Sequence, residues 1–327
     1  MAKNIAIIGA GLSGLTCAYE LTNKGHHVTL FEKSRGPSGR SSTKRWDNTV
    51  GIGIDLGVPY IEESVVKHIS SSLIRKLIDE KIVSHWPMTQ QKNGERNIIN
   101  TYVGSPKMSQ ISRFLSKKTT IKTEHKVNAI SFNKTWSVYT NTTQDNGFDE
   151  LIIAIPAPQI LDIEGVDDEI LTLAKSIQYN AINTLLIELK SPLWFTEIDE
   201  DVINGPILKT VIADYLKPNR VLGRYTYTVH SQHEWATKQF DIHDKKTVEN
   251  IMLDSVLTHY NRKPHLVLKH HIHRWKYAFL NGPLESLQTG YLKSTSSPLF
   301  VCGDWCQGHT VMSAIESGYL LAHNMTR

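Results

Sequence analysis

The sequence predicts an α/β protein of two units: a parallel-sheet domain assembled from both ends of the chain, and a second, β-sheet-rich domain between them. Three observations predict it. The opening 33 residues read as strand, glycine turn, helix and strand. The middle of the chain shifts to longer alternating runs rich in Val, Ile, Thr and aromatic residues. The tail returns to the opening pattern, with a short apolar strand, a loop and a closing helix. A chain of 327 residues is long enough for two domains at roughly 100–200 residues each. With 40% apolar and 21% charged residues it is neither disordered, coiled-coil nor collagen-like. Its net charge of +4, from 36 basic and 32 acidic residues, is too small and too evenly spread to point to nucleic acid or a membrane surface as partner.

Each element has its own signal. Asn4–Ile8 is a β-branched run closed by Gly9, as a strand buried on both faces requires. Apolar residues then recur at Leu12, Leu15, Ala18, Tyr19 and Leu21, near helical spacing, and Gly25 is placed to end that helix. His27–Glu32 is the second strand. Residues 34–45 are polar and hold Gly36, Pro37 and Gly39, hence a loop, and 64–80 carries the pattern of an amphipathic helix. Residues 120–141, with an N-K-T break, predict a hairpin or meander, and 148–155 a strand stopped by Pro156 and Pro158. Longer strands are expected over 179–190, 220–229 and 265–277, with a helix over 245–260. A strand over 298–302 and a helix from Val311 onward complete the first domain.

The longest apolar run, residues 5–15, is broken by Gly9, Gly11, Ser13 and Gly14 and falls far short of the ~20 residues that span a bilayer. It continues into helix-like T-C-A-Y-E-L rather than a cleavage site. Three cysteines make no disulfide framework, so a reducing cytoplasm is the expected compartment.

The sharpest feature is G-A-G-L-S-G at residues 9–14, between strand and helix, with Glu32 closing the next strand. Gly9 allows the tight turn, Gly11 lets backbone approach a pyrophosphate, and Gly14 lets the helix pack close to the sheet. The helix N-terminus offers free N–H groups and partial positive charge to phosphates. Glu32, 18 residues after Gly14, is placed to accept ribose hydroxyls, and an acid there disfavours a 2′-phosphate. The loop that follows, E-K-S-R-G-P-S-G-R, brings Arg35, Arg40, Lys44 and Arg45 together with no acid until Asp47. Such a run is either a solvated face or, after a dinucleotide motif, a loop closing over a pyrophosphate with Arg40 as the contact.

Residues 9–40 resemble the FAD-binding N-terminus of the flavoprotein group that includes amine oxidases, with G-P-S-G-R as the second motif and Ser38 where a glycine is usual. The likeness narrows with D-L-G-V-P-Y (55–60), Y-V-G-S-P-K-M (102–108), F-D-E-L-I-I-A-I-P-A-P (148–158), H-R-W-K-Y-A (273–278) and C-G-D-W-C-Q-G (302–308). Together these resemble the bacterial branch of the renalase family. The resemblance implies a Rossmann-type FAD-binding domain over 1–60, 100–160 and 290–327, and a substrate domain over 61–99 and 161–289. It implies FAD contacts at Gly9, Gly11, Ser13, Gly14, Glu32, Arg40, Pro59 and Tyr60, with Lys33 and Ser41 beside them. Val127 would flank the adenine, Asp304 would bind the ribityl or pyrophosphate part, and Val311 would open a helix facing the flavin ring. The chain departs from the family at Pro59, where glutamine is frequent, and at Lys107, where glycine is frequent. Met312 and Ser313 replace a common glutamate and glycine.

Other constellations are weaker. His270, His271 and His273 offer two imidazoles on one strand face, but no acid or cysteine in their segment completes a metal site. Cys302 and Cys306 are spaced too widely for a redox pair, so buried thiols and no metal are expected. Tyr60, Trp275, Tyr277, Trp305 and His230 are candidates either for core or for a flat aromatic slot. Thr310 stands where amine oxidases of this scaffold carry a tyrosine beside the substrate.

The resemblance implies a non-covalent FAD enzyme that oxidises isomeric dihydronicotinamide dinucleotides to NAD(P)+ and reduces oxygen to hydrogen peroxide. A flavin amine oxidase and a non-catalytic dinucleotide-binding sensor are the alternatives.

Overall fold

The computed structural model describes residues 1–47, 53–281, 287 and 289–325. Its first sheet has six strands in the order Leu292–Lys293, Leu299–Val301, Glu150–Ile153, Asn4–Ile8, His27–Glu32, Thr120–Thr123, all parallel except the short edge strand Leu292–Lys293. The central strand is Asn4–Ile8, whose apolar run is buried on both faces. From it the chain first builds outward on one side and later crosses to the other. Its C-terminal end is therefore a topological switch point, where ligands of open α/β sheets bind. The helices Leu12–Asn23 and Val311–Asn324 pack against each other, so both ends of the chain share one layer.

The second sheet has eight strands in the order Val267–Leu280, Tyr179–Leu189, Tyr225–Ser231, Leu208–Ala213, Glu200–Val202, Val83–Lys92, Glu95–Gly104, Ile61–Glu62. All neighbours are antiparallel except Glu200–Val202 with Val83–Lys92. Alternation gives this sheet two faces. Leu185, Val211, Val229 and Ile272 point to one, where Val248, Met252 and Val256 of the helix Lys245–His259 cover them. Asp244 caps that helix by accepting the Thr247 amide at 2.7 Å. The other face turns toward the first domain. A three-stranded meander, Val127–Asn133, Thr135–Thr140 and Gln144–Phe148, packs behind the first sheet through Trp136 and Phe148.

Several expected boundaries move. The segment 120–141 is not one hairpin, because Thr120–Thr123 joins the parallel sheet and the hairpin starts at Val127. The helix expected over 64–80 starts at His68, after a short 3-10 turn at Glu63–Val65. The strand expected from 220 starts at Tyr225, since Arg220 is drawn into a buried ion cluster with Asp55, Asp214 and Lys217. A domain boundary between 99 and 100 would cut the strand Glu95–Gly104, which pairs with Val83–Lys92 along its whole length. That strand is part of the second sheet throughout.

Candidate functional site

A cavity of about 1970 Å³ lies between the C-terminal edge of the first sheet and the open face of the second. Pockets for drug-sized ligands hold about 300–1,000 Å³, so this one is sized for a dinucleotide and a second molecule beside it. Its first wall is the glycine turn. Gly9 has φ +104°, and a Cβ there would sit 2.6 Å from the Ala154 carbonyl oxygen. A Cβ at Gly14 would overlap the Gly9 carbonyl, so Gly14 serves the packing of helix on sheet and is absent from the cavity wall. At Gly11 a Cβ would meet nothing within 4 Å, because that position faces open cavity. The helix Leu12–Asn23 starts with no side-chain cap, and the buried Ser13 hydroxyl at its first turn has no hydrogen-bond partner. Free amides, an unpartnered hydroxyl and open space above Gly11 form a cradle that fits a pyrophosphate.

Glu32 is buried, and its two oxygens accept the Ala10 amide at 3.0 Å and the Ser34 amide at 2.8 Å. It ties the glycine turn to the following loop while lining the same end of the cavity as Lys33 and Val127. Lys33 donates to Gln159 at 3.0 Å. Arg40 pairs with Asp304 at 2.7 Å and donates to the Ala278 carbonyl at 2.9 Å. Burial opposes its charge, but the Asp304 carboxylate outweighs that and holds the guanidinium more firmly protonated than a free arginine. Ser41 also lines the cavity, but its hydroxyl closes the loop by donating to Ser38 at 2.8 Å.

The strip from Leu56 to Tyr60 forms the next wall. It is anchored by Asp55, fully buried, whose carboxylate receives the Met108 amide, the Thr43 hydroxyl, Lys217 and Arg220. Burial would raise its pKa, but Arg220 and Lys217 hold it below the usual carboxylate range. Arg40 accepts the Val58 amide at 2.8 Å through its carbonyl, the Trp275 indole donates to Leu56 at 3.1 Å, and His230 Nε2 donates to Gly57 at 3.1 Å. Pro59 and Tyr60 line the cavity, and the Tyr60 hydroxyl donates to buried Glu200 at 2.9 Å.

The floor is one cross-strand row on the second sheet. His273 pairs with Thr184, Thr184 with His230, His230 with Thr210, Thr210 with Val202, and Val202 with Lys92. All six line the cavity. Burial, then Lys209, pushes His230 down to about 4, and burial, then Lys245, pushes His273 down to about 4, so both imidazoles are neutral at pH 7. Between them the Thr184 hydroxyl is fully buried with no hydrogen-bond partner. At the far side Glu200 is shared by Tyr60 and by Gln90 at 2.7 Å, and burial raises its pKa.

Most of the sequence-predicted residues gather here, and some take other roles. Tyr277 lines the cavity beside Arg40 and stands edge-on to Tyr179, ring centroids 6.0 Å apart. Trp305 does not: it is buried in the core behind the first sheet, its indole donating to Ile155 at 3.2 Å. Thr310 lines the cavity as the N-cap of Val311–Asn324, accepting the Ser313 amide at 3.0 Å while the Ser313 side chain accepts the Thr310 amide. Ser313 is thus half of a capping box, and Met312 points into the core, away from the cavity. Lys107 lines the cavity near the strand Thr43–Arg45. His271 faces the cavity with His273, whereas His270 turns to Glu249 at 2.7 Å. Among the described residues no group of three or more His, Cys, Asp or Glu is arranged to hold a metal ion. Sequence reasoning missed Thr184, Glu200 and Lys209. The adjacent polar pair Asn183-Thr184 inside an apolar strand was the available signal for the first.

Fold and cavity define a two-domain α/β protein with a Rossmann-like first domain and a large cavity between it and the second sheet. Residues 80–326 match the family described as flavin containing amine oxidoreductase, and residues 7–77 match the NAD(P)-binding Rossmann-like domain. The chain belongs to the flavin containing amine oxidoreductase family. With that membership FAD is the group for the cradle and oxidoreduction its chemistry. The residues present fit it: the orphan Ser13 hydroxyl and free helix start suit its pyrophosphate, and Glu32 its ribose.

Among similar proteins, renalase of Mus musculus is 28% identical over 174 residues, half of this chain and half of its own length. An L-amino-acid oxidase of Bothrops pauloensis is 51% identical over 45 residues, 14% of this chain and 9% of its own length. The chain thus spans about half, or less, of these curated relatives. Of solved structures, a putative protoporphyrinogen oxidase from Exiguobacterium sp. 255-15 superposes with a TM-score of 0.79 at 11% identity, covering 99% of both chains. Cyclohexylamine oxidase from Brevibacterium oxydans gives 0.73 at 12% identity over the full length of both. These structures share the fold. No helix among the described residues is long and apolar enough to cross a membrane.

Proposed function

We propose that the chain is an FAD-dependent oxidase of isomeric dihydronicotinamide dinucleotides, returning NAD(P)+ and reducing dioxygen to hydrogen peroxide. The observation that supports this most is the neutral floor. Two imidazoles held neutral flank an unpartnered buried hydroxyl at Thr184, a surface suited to an uncharged ring bearing a carboxamide. An ammonium substrate would meet Lys92 and Lys209 on that floor, and the one buried carboxylate there, Glu200, is already shared by Tyr60 and Gln90. FAD, when bound, would supply the hydride acceptor, dioxygen taking up that hydride equivalent and one solvent proton as hydrogen peroxide. The residues' own work is positioning: Thr184 orients the ring, the Leu56–Tyr60 strip and Trp275 wall it, and the sheet keeps water from one side. Thr310 contributes a helix cap and no aromatic face, which speaks against the amine oxidase reading.

FAD is held without a covalent bond to cysteine in this reading, since Cys17, Cys302 and Cys306 are buried and line none of the cavity. Three unpaired thiols also suit a reducing, cytoplasmic compartment. Anaerobic mixing of the yellow holoprotein with isomeric dihydronicotinamides and a panel of amines is the test. Rapid bleaching by a dihydronicotinamide supports the reading. Bleaching by amines alone promotes the amine oxidase, and no bleaching by any donor promotes the sensor.

A further inference from the structure

Basic side chains line much of the cavity, and one group of them stands at the end away from Arg40. Along the strand Val267–Leu280, Ala278 marks the Arg40 contact, while His271 and His273 face the cavity toward the opposite end. Seven residues of strand separate His271 from Ala278, roughly 23 Å at ~3.3 Å per residue. At that far end stand Lys44, from the strand Thr43–Arg45, and Lys245, the first residue of the helix Lys245–His259. Among the described residues neither ammonium has a hydrogen-bond or ion-pair partner.

The neighbouring charges are committed elsewhere. Glu249 lies 2.7 Å from His270 on the other side of the strand and 3.8 Å from Lys246. Asp244 caps its helix through Thr247, and Lys269 donates to the Trp46 carbonyl. Two free ammonium groups therefore act on two half-buried imidazoles, and Glu249, the acid that acts on His271, is held by His270. Burial, then Lys44 and Lys245, pushes His271 down to about 4, with Glu249 opposing weakly. A cavity end lined by one sign of charge concentrates oppositely charged ligands.

We propose that Lys44, Lys245 and His271 form a subsite for a phosphate of the substrate's own tail, separate from the cofactor's pyrophosphate cradle at Gly11, Ser13 and Arg40. The inference rests on the reading that the substrate is a dihydronicotinamide nucleotide. A phosphate dianion would take charge-assisted hydrogen bonds from both ammonium groups and favour the protonated form of His271, while His273, paired across the sheet with Thr184, stays the neutral imidazole of the floor. Placing the tail here directs the dihydropyridine ring inward along the strand, onto the Thr184 floor and toward Trp275.

The test uses the holoenzyme, its Lys44→Ala and Lys245→Ala variants, and inorganic pyrophosphate as probe. Side-chain NMR follows the histidines against pH, with His271→Gln and His273→Gln as assignment controls. Pyrophosphate is expected to raise the His271 midpoint and to move that of His273 far less, and each lysine variant to weaken its binding about three- to ten-fold. In anaerobic flavin reduction it should compete with dihydronicotinamide mono- or dinucleotides, and not with the phosphate-free riboside. Competition against the dinucleotide alone would place the distal phosphate in the subsite; competition against the mononucleotide too would place the phosphate next to the nicotinamide ribose. An unmoved His271 midpoint overturns the subsite. Midpoints that move without competition against either nucleotide also overturn it, because the anion bound is then not the substrate's tail. If no dihydronicotinamide reduces the flavin, riboside included, the proposed function fails, and the midpoints alone decide whether an anion site stands.

Discussion

Gly318 of the closing helix rests on the backbone of Ser13 in the opening helix. A Cβ at Gly318 would overlap the Ser13 carbonyl oxygen and come within 3.1 Å of the Cys17 amide nitrogen. The contact joins the two ends of the chain at the residue whose hydroxyl faces the cofactor cradle. A single small residue therefore sets how closely the closing helix packs on the turn that carries Ser13.

Gly318→Ala should lower stability by about 1–3 kcal/mol, the usual cost of forcing a methyl group into a filled contact. FAD affinity should fall with it, because the only relief is to move the Ser13 turn. Thermal unfolding and FAD titration of the apoprotein measure both. Gly36→Ala is the control, since a Cβ there meets nothing within 4 Å. Equal melting of the two variants would show that the helices slide apart freely.

Glu32→Ala should weaken FAD about ten- to a hundred-fold, from loss of an ionised hydrogen-bond acceptor worth about 1.5–3 kcal/mol. The structure adds a second cause, because the Ala10 and Ser34 amides also lose their acceptor. The spectrum of the remaining holoprotein should hardly change, the ribose being remote from the flavin ring. Unaltered affinity in a titration of apoprotein would contradict the role given to Glu32.

What was legible in the sequence was local. Asn4–Ile8, Leu12–Asn23 and His27–Glu32 end where glycines and apolar spacing say they should. The hairpin Val83–Lys92 with Glu95–Gly104 went unread because its strands are polar toward their tips and carry Pro87, which hides the alternation. Its turn, Asn93-Gly94, with φ of +52° and +82°, was a readable hairpin signal. The Thr184 floor was beyond reach for another reason: its six residues come from six strands, and only tertiary register makes them neighbours. Trp305 sits in a motif whose Gly303 and Asp304 line the cavity, yet its ring turns into the core, and no spacing rule distinguishes those directions.

Stability should depend on pH through His230. Its pKa is about 4 in the fold against 6.5 for an unperturbed imidazole, so between these values the unfolded chain binds a proton that the fold refuses. The contribution is complete above about pH 7 and declines as pH falls toward 4, by about 2 kcal/mol at pH 5. Glu200, raised by burial, works in the opposite direction, so the informative quantity is the difference between wild type and His230→Gln. Urea unfolding at about pH 7.5 and about pH 5 should show a smaller loss in the variant. Identical losses would mean that His230 titrates normally.

Thr184→Val should separate binding from stability. In the free protein the Thr184 hydroxyl is buried without a partner, an arrangement that costs stability unless something completes it. Valine has nearly the same shape and no such requirement, so the variant should be as stable as the wild type or more stable, by up to about 1 kcal/mol. Substrate, in contrast, loses the hydrogen bond that the hydroxyl would have made. KM for the dihydronicotinamide should rise about two- to ten-fold while kcat changes little, because the bond is made in ground state and transition state alike. Thr184→Ser, which restores the hydroxyl, should recover most of the affinity. A hydroxyl with a purely structural role gives the reverse pattern, a valine variant that melts earlier and binds substrate unchanged. Steady-state kinetics and thermal melts on the same three proteins distinguish the two.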